Sequence, residues 1–221
     1  MKKLMAAVLS VFIILALSGC GSDGGGNPPP LFVADIVSDP RYDGDIRYDS
    51  QTNSYTVTQG YTGSVLAGID PINTALEYRS FLAFNLTGAG GVPGDAIIDS
   101  AWLDIYINRV ATQFPLDTIP LRIDLVSFEP PTLVIDDYDS SKLIALKTMI
   151  VNPPISRADA GQHISIDVTP LMVEAQRLGL LYFQVRIMED LGIVDPGVVE
   201  INDTTGVDRA TFAPLLSVTY Y

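Results

Sequence analysis

The chain has 221 residues, 48% of them hydrophobic, and a net charge of −13 from 26 acidic and 13 basic side chains. Apolar residues run along its whole length, which excludes a disordered protein; the acid excess excludes nucleic-acid binding as a whole-surface property, because that affinity comes from basic groups meeting phosphates. A single cysteine and a single histidine exclude an internal disulfide and leave any histidine-ligated metal or histidine-centred triad resting on His163 alone.

Residues 1–19 read as an export signal. Lys2 and Lys3 precede an apolar run from Leu4 to Leu17, which Leu17-Ser18-Gly19-Cys20 closes, the charged, apolar and small-residue order of a cleavable signal. The run is shorter than the ~20 residues of a membrane-spanning helix. The closing residues resemble the lipobox of bacterial lipoproteins. That resemblance implies that Cys20 is acylated, with palmitate among its chains, and becomes the first mature residue, anchored to a membrane. Gly21 lacks the aspartate that retains some lipoproteins at the inner membrane, so the resemblance favours the outer membrane. An ordinary signal with a chance cysteine, or an uncleaved anchor, stays open. Cleavage would remove two lysines and no acid, leaving −15.

Residues 20–30 follow as a tether, glycine-rich to Gly26 and stiffened by Pro28-Pro29-Pro30. Residues 31–221 suffice for one domain. Here apolar residues alternate with a period of two, as in half-buried strands. Asp45–Tyr48, Ser54–Thr58 and Val65–Ile69 are short candidates. In Phe81–Leu86, Leu82, Phe84 and Leu86 oppose Phe81, Ala83 and Asn85. In Ala101–Asn108, Leu103, Ile105 and Ile107 oppose Trp102, Asp104 and Tyr106. Leu121–Leu125, Ile164–Val168, Leu181–Ile187 and Leu216–Tyr220 repeat the pattern. Two helices interrupt it: Ser140–Ile150, which Asp139 would cap, and Pro170–Leu178, which has proline in its first turn and Gly179 at its end. The expected fold is all-β, a single antiparallel, jelly-roll-like β-sandwich with one or two short helices.

Three segments in order carry a family resemblance. They are Arg79–Leu86 with Pro93–Tyr106, then Ile166-Asp167-Val168-Thr169-Pro170-Leu171 leading to Gly179-Leu180, and Ala213–Tyr220. Together they resemble the DNRLRE-type domain, a β-sandwich related to the family 96 carbohydrate-binding modules, from about Asp43 to the C-terminus with a divergent stretch over 128–162. The resemblance implies a fold, and it includes modules that bind alginate-type polysaccharide. A polyuronate suits this charge only if Arg41, Arg47 and Arg79 gather on one face.

Catalysis finds little support, since no nucleophile elbow, phosphate-binding glycine loop or cysteine cluster occurs. The chain is therefore expected to be no enzyme. His163, at a strand edge, is expected to be solvent-exposed or hydrogen-bonded. Acidic clusters at Asp39, Asp43, Asp45 and Asp49, and at Asp136, Asp137 and Asp139, allow a structural calcium, although neither has EF-hand spacing and a solvated face is the more ordinary explanation. Aromatic rings point to sugar binding, because they stack on the C–H faces of pyranoses. One candidate group is Trp102, Asp104 and Tyr106, joined by Phe81 if the two strands pair. The competing expectation is that residues 128–162 fold over this face and bury it. Tyr42 and Tyr48, with Tyr55 and Tyr61, form a second group that strand or turn packing also explains. These readings lead to a membrane-tethered sandwich that binds extracellular carbohydrate or a matrix polymer. The alternative is an assembly protein that contacts envelope proteins.

Overall fold

The computed structural model describes residues 29–113, 115–128, 131–190 and 196–221; the expected signal, Cys20 and the tether up to Asn27 and Pro28 lie outside them. The strands are β1 (Phe32–Val37), β2 (Gly44–Asp49), β3 (Ser54–Gln59), β4 (Gly63–Ile69), β5 (Leu76–Asn85), β6 (Ile98–Thr112), β7 (Thr118–Ile119), β8 (Leu121–Val126), β9 (Lys147–Ile150), β10 (Ile155–Ser156), β11 (His163–Asp167), β12 (Tyr182–Glu189), β13 (Gly197–Asp203) and β14 (Leu215–Tyr220). Two helices, α1 (Thr169–Arg177) and α2 (Arg209–Phe212), interrupt them. All strand pairs are antiparallel. The all-β sandwich class expected from the alternation is the one observed.

The fifteen residues of β6 curl the sheet. Ile98 to Asp104 pair with β14, Trp102 to Tyr106 with β11, and Ile107 to Thr112 with β13. One strand therefore belongs to both walls. The first wall is β1-β14-β6-β11; the second runs from β13 through β4, β5, β12 and β8 to β9, with β2 attached to β5 and β3 to β2. Leu103, Ile105, Ile107 and Leu216 of the first wall meet Leu82, Phe84, Phe183, Val185 and Ile123 of the second in one buried cluster. Each such side chain contributes about 1.5–3 kcal/mol.

Helix α1 starts where expected. Pro170 occupies its first turn, where a missing N–H leaves nothing unpaired. Asp167 Oδ1 accepts from the Thr169 amide at 2.9 Å, and Gly179 takes φ +65° just beyond the last turn.

Two expectations fail, and one cause explains both. Phe81, Ala83, Gln184 and Arg186, on the outer face of β5 and β12, are fully or almost fully buried rather than solvated. The stretch after β8 lies across them as a strap, and its Phe128, Leu133, Tyr138 and Leu143 join Ile46, Phe81 and Ala83 in a second core. Within this stretch, Ser140–Ile150 is not a helix. A single turn closes on the Asp139 carbonyl, and then the Leu146 amide donates to Leu125 O. Residues 147–150 become β9 on the edge of β8, where the strand already offers partners for their backbone groups.

Polar side chains on that outer face hold the strap by its backbone. Gln184 bonds both the amide and the carbonyl of Phe128, at 3.0 and 3.2 Å. Gln59 accepts from the Leu133 amide at 3.0 Å and donates to Pro131 O at 3.2 Å. Arg186 donates to the carbonyls of Asp137 and Leu143 at 3.3 and 3.2 Å. Arg79 donates to the Tyr138 carbonyl, and its guanidinium lies 3.8 Å from the Tyr138 ring centroid.

Candidate binding face

Because the strap covers the second wall, the outer face of the first wall stays open. Cross-strand pairing places its side chains in rows. Asp167 of β11, Trp102 of β6, Ser217 of β14 and Asp35 of β1 form one row. Ser165, Asp104 and Leu215 form the next, and His163 stands opposite Tyr106. Neighbouring strands lie about 4.8 Å apart, so a row across four strands spans about 14 Å. Trp102, the only tryptophan, is 44% exposed at the centre. A buried indole meets other rings, but among the described residues Trp102 has no aromatic partner.

Tyr106 belongs to the same face and is packed. Its ring lies 4.6 Å from that of Phe212 in α2 and 5.1 Å from the His163 imidazole. His163 Nδ1 is 2.6 Å from Asp104 Oδ1, so this histidine is both partly exposed and hydrogen-bonded. Tyr106 and His163 thus form a packed cluster two rows along the face from Trp102. Beside β11, whose only strand partner among the described residues is β6, a cleft of about 250 Å³ opens. Trp102, Ser165, Asp167, Asp159 and the Asn152-Pro153-Pro154 corner line it. The tail of the 128–162 stretch therefore borders Trp102 instead of covering it.

Several sequence candidates lie elsewhere. β5 does not pair with β6, and Phe81 is buried in the second core against Phe128, with ring centroids 5.8 Å apart. Tyr48 stacks on Tyr55 at 4.8 Å and lies 5.4 Å from Tyr138, while Tyr42 meets Tyr182 edge-on at 6.3 Å. Both tyrosines flank the second core. The three arginines do not gather: Arg41 is held by Asp39, and Arg47 and Arg79, one register position apart on β2 and β5, point to opposite faces.

Asp39, Asp43 and Asp45 also serve different partners. Asp39 bonds Arg41, which lowers its pKa. Asp43 is buried and accepts from the Ala83 amide at 2.9 Å; burial and the neighbouring Asp203 carboxylate push it well up. Asp203 pairs with Arg209 at 2.9 Å. Asp45 accepts from the Leu66 amide at 3.1 Å, and burial raises it to about 6. Among the described residues, no three His, Cys, Asp or Glu side chains are grouped to hold a metal ion.

Sequence reasoning missed Asp35, Asp159 and Ser217. Asp35 lies on a strand that the alternation left unassigned, and Asp159 in the divergent stretch. Ser217 was readable, since it alternates with Leu216 and Val218. The chain matches no known family model and no curated protein.

Proposed function

We propose that this protein is a non-catalytic carbohydrate-binding sandwich, held at a membrane surface through acylated Cys20, that captures extracellular polysaccharide on the outer face of its first wall. The observation that carries the reading is the half-exposed, unstacked Trp102 on the open outer face of the first wall. An indole in that position is free to stack on a ligand, and sugar rings offer the C–H surface it stacks on. Asp167, Ser217, Ser165 and Asp35 surround it with hydrogen-bonding groups. The resemblance to DNRLRE-type domains points the same way, and the lipobox would supply the anchor. A glycan array probed with the detergent-solubilised chain and its Trp102→Ala variant tests this. The expected result is binding to a restricted glycan class that the substitution weakens at least tenfold; absence of binding across neutral, acidic and amino glycans contradicts it.

A second reading, assembly with envelope proteins, draws on a different place. Leu31, Phe32 and Val33 are 53–61% exposed, at and beside β1, whose only strand partner among the described residues is β14. Open apolar edges of this kind are templates for pairing with another chain. Cross-linking from the β1 edge in intact membranes separates the two readings.

A further inference from the structure

We propose that the polymer taken by the Trp102 face is an amino-sugar glycan, with a pyranose ring stacked on Trp102 and its ammonium group held by Asp167 and Asp159. This inference rests on the carbohydrate-binding reading and names the ligand class. Apart from His163, which pairs with Asp104, the ionisable groups of this face are carboxylates. Asp35 and Asp167 lie in the Trp102 row, Asp104 in the next, and Asp159 lines the adjoining cleft. No lysine or arginine occupies any position of these rows. Arg157, two residues from Asp159, turns its guanidinium to Thr112 at 2.5 Å and toward Asp117 at 3.9 Å.

Asp167 and Asp159 are held in place but not neutralised by a basic side chain. Asp167 uses Oδ1 for the Thr169 amide at 2.9 Å, and Asp159 uses Oδ2 for the Ser156 amide and hydroxyl at 2.6 and 2.9 Å. The second oxygen of each has no hydrogen-bond partner among the described residues. Asp35, Asp159 and Asp167 form no ion pair there, whereas Asp39, Asp136, Glu174 and Glu200 each hold a lysine or arginine. A surface acid without a cation is ordinary; two beside one exposed indole, each fixed by one oxygen, form a receptor for an external cation. The indole adds to this, since its π-face attracts a cation as well as C–H groups. A uronate would bring like charges together, a repulsion that discriminates against it. N-acetylation of an amino sugar removes the charge and leaves only the stacking.

Trp102 is the sole tryptophan, so its fluorescence reports the site alone. The detergent-solubilised full chain is titrated with a glucosamine hexamer, an N-acetylglucosamine hexamer and a uronic-acid hexamer. The expected order is glucosamine tighter than N-acetylglucosamine by about tenfold or more, with no response to the uronate. Asp167→Asn combined with Asp159→Asn should erase that preference and leave the N-acetylglucosamine affinity in place. Because Asp159 also braces its own turn, Asp35→Asn, exposed and without a side-chain partner among the described residues, serves as a variant that leaves the fold intact; it should weaken glucosamine binding selectively, by about threefold. Equal affinities, a preference for the uronate, or a glucosamine preference that survives all three substitutions overturns the amino-sugar inference and leaves carbohydrate binding standing. No fluorescence response to any of the three, together with a blank glycan array, overturns both.

Discussion

Removing the Arg186 guanidinium by Arg186→Ala should come close to unfolding the protein. Arg186 and Asp124 are both fully buried, 2.7 Å apart. The substitution leaves Asp124 with Arg122 at 3.2 Å and Thr148 at 2.7 Å, so its charge is only partly balanced. Breaking a buried pair from one side costs about 3–5 kcal/mol, and the remaining partners favour the lower end. The carbonyls of Asp137 and Leu143 also lose their Arg186 donor, at about 1–3 kcal/mol for each left unsatisfied. The total, about 5 kcal/mol, equals the whole stability of a marginal domain. Urea unfolding followed by circular dichroism measures it; with a slope of about 2 kcal/mol/M, the midpoint should fall by roughly 2 M or more. Arg186→Met combined with Asp124→Leu removes both charges and should recover at least half of that loss. A midpoint shift below about 0.5 M for Arg186→Ala, near 1 kcal/mol, would refute the idea that this arginine fastens the strap.

Four further outcomes follow from other sites. Asp45, raised to about 6, keeps a proton in the fold that the unfolded chain releases near pH 4. Its contribution is therefore fully present below about pH 4 and is lost as pH rises to about 6, by roughly 3 kcal/mol; thermal melts of Asp45→Asn should lack that part of the slope. Gly68→Ala should destabilise by about 2 kcal/mol or more, because Gly68 has φ +115° and a Cβ there would lie 2.1 Å from the Gly197 carbonyl oxygen; chemical denaturation reads the loss. Tyr106→Ala should loosen α2, whose Phe212 packs against that ring at a tilt, and faster amide exchange over 209–212 would show it. Cys20→Ser should move the chain from the membrane to the soluble fraction and abolish palmitate labelling.

The open wall was legible in the sequence because one face meets water and the other the core. Leu103, Ile105 and Ile107 against Trp102, Asp104 and Tyr106 is a period of two that only a half-buried strand needs. β5 and β12 carry the same alternation, yet both of their faces are buried. Gln184 and Arg186 read as solvent-facing, and nothing local tells that their polar ends receive the backbone of a distant strap. The strap itself is held by side-chain-to-backbone bonds and four scattered apolar anchors, so it has no period to detect. Residues 140–150 show a helical spacing of Leu143, Leu146, Met149 and Ile150, but the free edge of β8 overrides it. For the site, the alternation marked Trp102 as outward, whereas its neighbours Asp35 and Ser217 depend on strand order, which emerges only when β14 lies between β1 and β6.

Acrylamide quenching of Trp102 fluorescence, with and without the polysaccharide that the glycan array selects, tests the proposed function most directly. A half-exposed ring on an open face should be quenched readily by this neutral quencher in the free protein and protected when the glycan is bound. Quenching that the glycan leaves unchanged, despite measured binding, would place the site elsewhere and contradict the reading of this face.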